Sequence, residues 1–254
     1  MLNGLVTALR TLTLLPVPGK DAERFSSSLY WFPIVGLLIG AVQAGLARAG
    51  AAAGWPELAA LLALGGGVIM TRGLHADGLA DLADGFFGGR SKEAALRIMK
   101  DPNVGSFGAL ALIVVMLLKW ICLLELVRHG AFGMLAAGVM IARMAQVLLA
   151  ARLPYARAEG GTATAFVEGA GTAHLLVAIL SSLLILMPLV DFDPLKAAVL
   201  TGSGVVSASA VGFLSWRKIR GVTGDVLGTC SELTEAAVWL SAALVCKFPF
   251  PCTL

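Results

Sequence analysis

The residues best suited to chemistry stand in Leu74 to Gly89, LHADGLADLADGFFGG. Asp77, Asp81 and Asp84 recur there at i, i+4 and i+7. At about 100° per residue of helix, the three carboxylates fall within about 60° of arc, on one face. Carboxylates held together repel one another and cost free energy to desolvate, and a cation relieves both problems. Hard oxygen ligands in a wet place open to phosphates suit Mg²⁺ best. The pattern therefore points to a Mg²⁺ site that handles a phosphorylated substrate. The competing reading is a solvated helix face just outside a bilayer. Gly78, Gly85 and Gly88-Gly89 favour the site, because glycine weakens a helix but lets backbone approach a ligand closely.

A second acidic row lies in GVTGDVLGTCSELTEA, from Gly221 to Ala236. Asp225, Glu232 and Glu235 share about 80° of a helix face. Asp225, framed by Gly224 and Gly228, is expected at the membrane edge. Glu235 follows about 15 Å further along the axis. Its partner there is a metal, a base such as Arg143 or Lys119, or a proton. Arg143 needs a counter-charge, or a phosphate to grip as a bidentate fork. Arg152, Arg157, Lys218 and Arg220 ring the same face, as membrane anchors or as contacts for a polyanion. Together these residues fit phosphoryl transfer: metal on aspartates bridges a diphosphate, and bases neutralise the departing nucleotide.

The elements that must position these groups are hydrophobic. The 254 residues are 58% hydrophobic and 14% charged, against about 25% charged in soluble chains, and the mean hydropathy is +0.86. The fold expected is an all-α integral membrane protein, a single polytopic helical bundle over residues 1–254. About seven transmembrane helices are expected, near 29–47, 57–70, 107–127, 132–151, 173–190 and 195–214, with the last running through Val245. Short interfacial or re-entrant helices accompany them, one of them over residues 3–15, stopped by Pro16 and Pro18. Polar, motif-bearing segments lie near 73–103, 152–172 and 216–235, and a surface helix is expected over 90–103. With the N-terminus inside, twelve of the 19 lysines and arginines fall on the same side as these segments and four on the other, while Arg72, Lys119 and Arg143 lie in or at the edge of spans. Positive charge marks the cytoplasmic side, so one active site built from all three becomes possible there.

Other classes are disfavoured. A net charge of +3 is small, and no nucleic-acid partner is expected. Cys122, Cys230, Cys246 and Cys252 form no C-x-x-C, so buried free thiols are expected. His75, His129 and His174 are too scattered for a zinc cluster. The N-terminus lacks the basic region and cleavage pattern of a signal peptide.

Six stretches carry a family pattern: LPVP (15–18), YWFPIVGLLIG (30–40), GLHADGLADLADGFFGGR (73–90), IMKDPNVGSFGALAL (98–112), LPYARAEG (153–160) and GVTGDVLGTCSELTEA (221–236). In these stretches and in their order, the sequence resembles the cobalamin synthase, or adenosylcobinamide-GDP ribazoletransferase, family. The resemblance implies a multi-pass enzyme of the bacterial inner membrane with its active site facing the cytoplasm. Such an enzyme joins adenosylcobinamide-GDP to α-ribazole, or to its 5′-phosphate, and releases GMP, with Mg²⁺ as cofactor. Carried onto this chain, it implies Asp77, Asp81, Asp84 and Asp225 as metal ligands, and these with Glu232 as catalytic residues. His75, Lys100, Arg143 and Arg157 become the substrate contacts. A homo-oligomer, or association with other cobalamin-assembly enzymes, is compatible with it. The chain departs from the usual pattern at Pro102-Asn103-Val104, where Asn103 replaces a basic residue. A CDP-alcohol phosphotransferase would need D-G-x-x-A-R, which fails after Asp77-Gly78. A cation-coupled transporter would show inverted repeats, and the two halves share no self-similarity. The tail KFPFPCTL has no assigned role.

Overall fold

The computed structural model describes residues 2–248. Its helices, in chain order, begin with α1 (Leu2–Leu12) and a 3₁₀ helix (Phe25–Trp31) that runs into α2 (Phe32–Ala52). Then come α3 (Pro56–Met70), α4 (Leu74–Gly88), α5 (Lys92–Ile98), α6 (Ser106–Arg128) and α7 (Phe132–Arg152). The short α8 (Thr164–Val167) leads to α9 (Thr172–Leu189), α10 (Pro194–Ile219) and α11 (Gly224–Lys247). Helix starts follow local chemistry. Proline fills the first turn of α2, α3 and α10, where its missing N–H costs nothing. Ser91, Asp193 and Thr223 cap α5, α10 and α11 by accepting backbone amides.

Among the described residues, five helical stretches are long and apolar enough to cross a membrane: Phe25–Ala52, Ser106–Arg128, Phe132–Arg152, Thr172–Leu189 and Pro194–Ile219. A sixth passes only as the pair α3 and α4, which is bent by 85°. The chain is thus a polytopic helical membrane protein, with five or six such segments where the sequence predicts about seven. Two features explain the difference. Arg72 and Gly73 take positive φ, 55° and 68°, and swing α4 away from α3, so the expected second span and the aspartate stretch form one broken unit. The 24-residue α11 is long enough, at about 36 Å, but its carboxylates and hydroxyls make it less apolar than the others. The predicted surface helix at 90–103 is shorter than expected, since α5 ends at Ile98.

Helix α7 forms the centre, and every residue from Met134 to Val147 is buried. It packs against α2, α9, α10 and α11, while α11 also packs on α4 and α6. The outer faces of α6 and α9 expose Leu110, Val114, Ile121, Leu180 and Leu184, an apolar surface suited to lipid. Helix α1, at about 16 Å too short to span, buries Ala8 and Leu12 and packs on the 3₁₀ helix. Cys122 and Cys230 are buried free thiols, and Cys246 is half-buried. Cys252 and most of the tail lie outside the described residues.

Candidate active site

The three motif-bearing segments meet at one end of the bundle. Helices α4 and α11 cross where Gly78 faces Asp225 and Gly228 faces His75. A Cβ on Gly78 would stand 3.0 Å from the Asp225 backbone, and one on Gly228 would stand 3.3 Å from His75 Cα. Both distances are tighter than most Cβ contacts, so glycine favours so close a crossing, and Thr229 Oγ1 reinforces it by donating to the Gly78 carbonyl at 3.0 Å. The 153–163 loop is sewn to the start of α11: Ala156 N donates to Val222 O and Val222 N to Pro154 O, both at 2.8 Å. Lys218 Nζ donates to Gly89 O at 2.6 Å. Lys100 Nζ meets Glu159 Oε1 at 2.5 Å, and this hydrogen bond holds the Glu159 carboxyl below its ordinary pKa.

The predicted site residues then divide into three groups. At the mouth, Asp77 is exposed and Asp81 half-buried. Arg157 Nη2 pairs with Asp225 Oδ2 at 2.9 Å, and Thr223 Oγ1 donates to the same oxygen at 3.1 Å. Among the described residues, Asp77 and Asp81 accept no side-chain or loop hydrogen bond, so their carboxylates are free for a ligand. Asp84 is differently employed. Its Oδ2 accepts Gly105 N at 2.7 Å and its Oδ1 accepts Gly108 N at 2.9 Å. It therefore caps the start of α6, a position where both free amides and the helix dipole favour an anion.

The third group is buried. Lys119 Nζ lies 2.5 Å from Glu232 Oε2 and 2.6 Å from Glu235 Oε2. Arg143 Nη1 pairs with Glu235 Oε1 at 2.9 Å and donates to Ser231 Oγ. Arg143 Nη2 lies 3.3 Å from His75 Nδ1. Two bases thus balance two acids, and the partner of Glu235 is the pair Lys119 and Arg143. A cavity of about 10 Å³ beside this group has room for about one water.

Two larger spaces flank Asp77. A cleft of about 250 Å³ has apolar walls that include Leu12, Leu29, Phe32, Phe166 and Leu227, with His75, Gln146, Asp77, Asp225 and Arg72 as its main polar groups. A more open space of about 550 Å³ lies across Arg72, Leu74 and Asp77, bounded by Ala80, Val104 and Leu112. Arg72, Gln146 and Thr162 line the cleft without having been singled out from sequence. Their only sequence signal was position, since Arg72 precedes the motif by one residue and Gln146 follows Arg143 by less than one turn.

Carboxylates on crossing helices, basic side chains at the rim and a small cleft suit a transferase of phosphorylated substrates. The sequence profile of cobalamin-5-phosphate synthase matches residues 4–243. The chain belongs to the cobalamin-5-phosphate synthase family. It is similar to the adenosylcobinamide-GDP ribazoletransferase of Chlorobaculum parvum, with 71% identity over 247 residues and 97% of both chains covered. It is also similar to those of Chlorobaculum tepidum, at 70% with the same coverage, and Syntrophobacter fumaroxidans, at 36% over 95% of this chain and 98% of the relative. No solved structure matches it. As a member of this family the chain is a transferase of cobalamin biosynthesis, and the matched region contains all three segments that meet at the site.

Proposed function

We propose that this protein joins adenosylcobinamide-GDP to α-ribazole or its 5′-phosphate and releases GMP. The reaction depends on Mg²⁺ and takes place at the cytoplasmic face of the bacterial inner membrane. The observation that carries this reading is the meeting of free Asp77 and Asp81 with the Arg157–Asp225 pair beside a cleft. The concentration of lysine and arginine on the three segments supports the cytoplasmic side.

In the reaction, a hydroxyl of the acceptor attacks the phosphorus next to cobinamide. A new P–O bond forms, the bond to the bridging oxygen breaks, and GMP departs with that oxygen. The hydroxyl proton passes to a carboxylate, for which the partner-free Asp77 and Asp81 are the candidates. Among the described residues, no three acidic, histidine or cysteine side chains are gathered to enclose an ion. Mg²⁺ fits nonetheless, because it binds through one or two carboxylates together with substrate phosphates and water. Asp77 and Asp81 would hold it, with Asp225 beside them. When bound, it would offset the negative charge that develops on the diphosphate. Asp84 would serve by fixing the start of α6, and Glu232 as a buried counter-charge. Arg157 orients Asp225 and would meet a phosphate at the rim. Lys100, tied to Glu159 at the rim, and Arg143, sealed below, would act at one remove.

Detergent-purified protein incubated with adenosylcobinamide-GDP and α-ribazole tests this. GMP release that requires Mg²⁺ and falls by about a hundredfold or more in folded Asp81→Asn is expected. Full activity in that variant would overturn the metal role. No GMP from well-folded wild type would overturn the reaction.

A further inference from the structure

The two substrates of the proposed reaction differ greatly in size, and the two spaces beside Asp77 differ likewise. The cleft of about 250 Å³ is smaller than the ~300–1,000 Å³ typical of drug-sized ligands. It cannot admit a corrin ring. We propose that this cleft is the subsite for the acceptor nucleoside, with His75 and Gln146 reading it. The inference rests on the transfer reaction proposed above and assigns one of its substrates to a place.

Two buried polar atoms without partners carry the argument. Arg143 Nη2 faces His75 Nδ1 at 3.3 Å. A guanidinium only donates, so Nδ1 accepts and the ring hydrogen sits on Nε2. His75 Nε2 is buried and unpartnered. Gln146 Nε2 donates to Leu227 O at 3.1 Å, which fixes the amide and leaves Oε1 buried and unpartnered. Buried polar atoms are nearly always satisfied, so one donor and one acceptor beside the same cleft point to a ligand that supplies one of each. The remaining walls are apolar, from Leu12, Leu29, Phe32, Phe166 and Leu227.

The acceptor nucleoside has this chemistry. Its base is a benzimidazole with two methyl groups and a single free ring nitrogen, which accepts from His75 Nε2–H. A ribose hydroxyl donates to Gln146 Oε1. Guanine, the base of the donor nucleotide, would present one acceptor and two donor groups on its edge and would leave part of that edge unsatisfied in an apolar cleft. Arg72 and Asp77 border both the cleft and the 550 Å³ space, so the phosphorus transferred belongs at that shared wall, with the donor on the open side.

The test measures KM for each substrate, and binding of α-ribazole alone by calorimetry, in wild type, Gln146→Leu and Thr162→Phe. Thr162 is exposed and lines the cleft, so the second variant blocks the space without disturbing the core should Gln146→Leu fail to fold. Expected is a rise of about tenfold or more in KM for α-ribazole, equal to ~1.4 kcal/mol, with matching loss of binding. The KM for adenosylcobinamide-GDP should stay within about twofold. A rise confined to the donor, or GMP displacing α-ribazole from wild type, would overturn the assignment. Because binding of α-ribazole is measured without turnover, an inactive wild type that still binds it through Gln146 would fail the reaction and keep the subsite.

Discussion

Replacing Lys119 by methionine should unbalance the buried charges, and a second change at Glu232 should restore them. Lys119 reaches Glu232 and Glu235 at 2.5 and 2.6 Å and lies 5.3 Å over the Trp239 ring. The side chains of Lys119, Glu232, Glu235 and Arg143 are at most 9% exposed. Methionine keeps most of the stem volume but removes the charge, leaving Arg143 alone against two carboxylates. Removing one partner of a buried ion pair costs about 3–5 kcal/mol. At roughly 2–4 °C per kcal/mol for a chain of this size, Tm should fall by about 6–20 °C. Adding Glu232→Gln leaves one base facing one acid, so the double variant should recover much of the loss, a coupling on the order of 1–3 kcal/mol. Thermal unfolding in detergent, followed by tryptophan fluorescence, measures all four proteins. Additive losses in the double variant would refute the balance argument. A Glu232→Gln protein that melts like wild type yet releases no GMP would show that Glu232 does chemistry.

Asp84→Ala removes the acceptor of two amides at the start of α6 and should cost about 1–2 kcal/mol while folded molecules keep near-normal kcat; a hundredfold loss of kcat would instead make Asp84 a ligand. Gly78→Ala forces a Cβ to 3.0 Å from the Asp225 backbone and should cost about 1–3 kcal/mol, with a larger loss of turnover as Asp77 moves away from Asp225. Gly65→Ala is the control: nothing lies within 4 Å of the added methyl, so Tm should rise with the ~0.5–1 kcal/mol gained in helix propensity, activity unchanged. The Glu159 carboxyl is held below its ordinary pKa by Lys100. Its contact should therefore persist as pH falls through about 4.3 and break only below, as NMR titration of that carboxyl would report.

Much of this was legible because hydrophobic runs and charged segments obey different solvents. The helices of the bundle follow from the first, and the meeting of residues near 73–103, 152–172 and 216–235 follows from the second. Three features were not legible. Nothing in an arginine side chain foretells a left-handed backbone at Arg72, yet that residue and Gly73 decide that α4 leaves the line of α3. Helical periodicity placed Asp84 on the face of Asp77 correctly. Seven residues also separate them by about 10 Å along the axis, too far to share an ion, and the amides that Asp84 caps come from residues more than twenty positions away. For Glu235 the sequence left metal, base and proton open, because the choice depends on how α6 and α7 are turned toward α11.

Helix α11 carries carboxylates in two solvents, and each is treated accordingly. Asp225, in the first turn, lines the cleft, where it pairs with the rim base Arg157 and accepts from Thr223. Glu232 and Glu235, two to three turns deeper, have no such solvent and are neutralised within the protein by Lys119 and Arg143. The two levels touch at one point, where Arg143 stands between Glu235 and His75. Glu235 fixes the guanidinium, the guanidinium fixes which histidine nitrogen carries hydrogen, and that nitrogen is left beside the cleft. The buried charges therefore connect to the cleft through the orientation of one imidazole. If the proposed acceptor subsite is right, a perturbation of Arg143 that keeps the fold intact should weaken binding of α-ribazole, read by calorimetry, more than it lowers kcat.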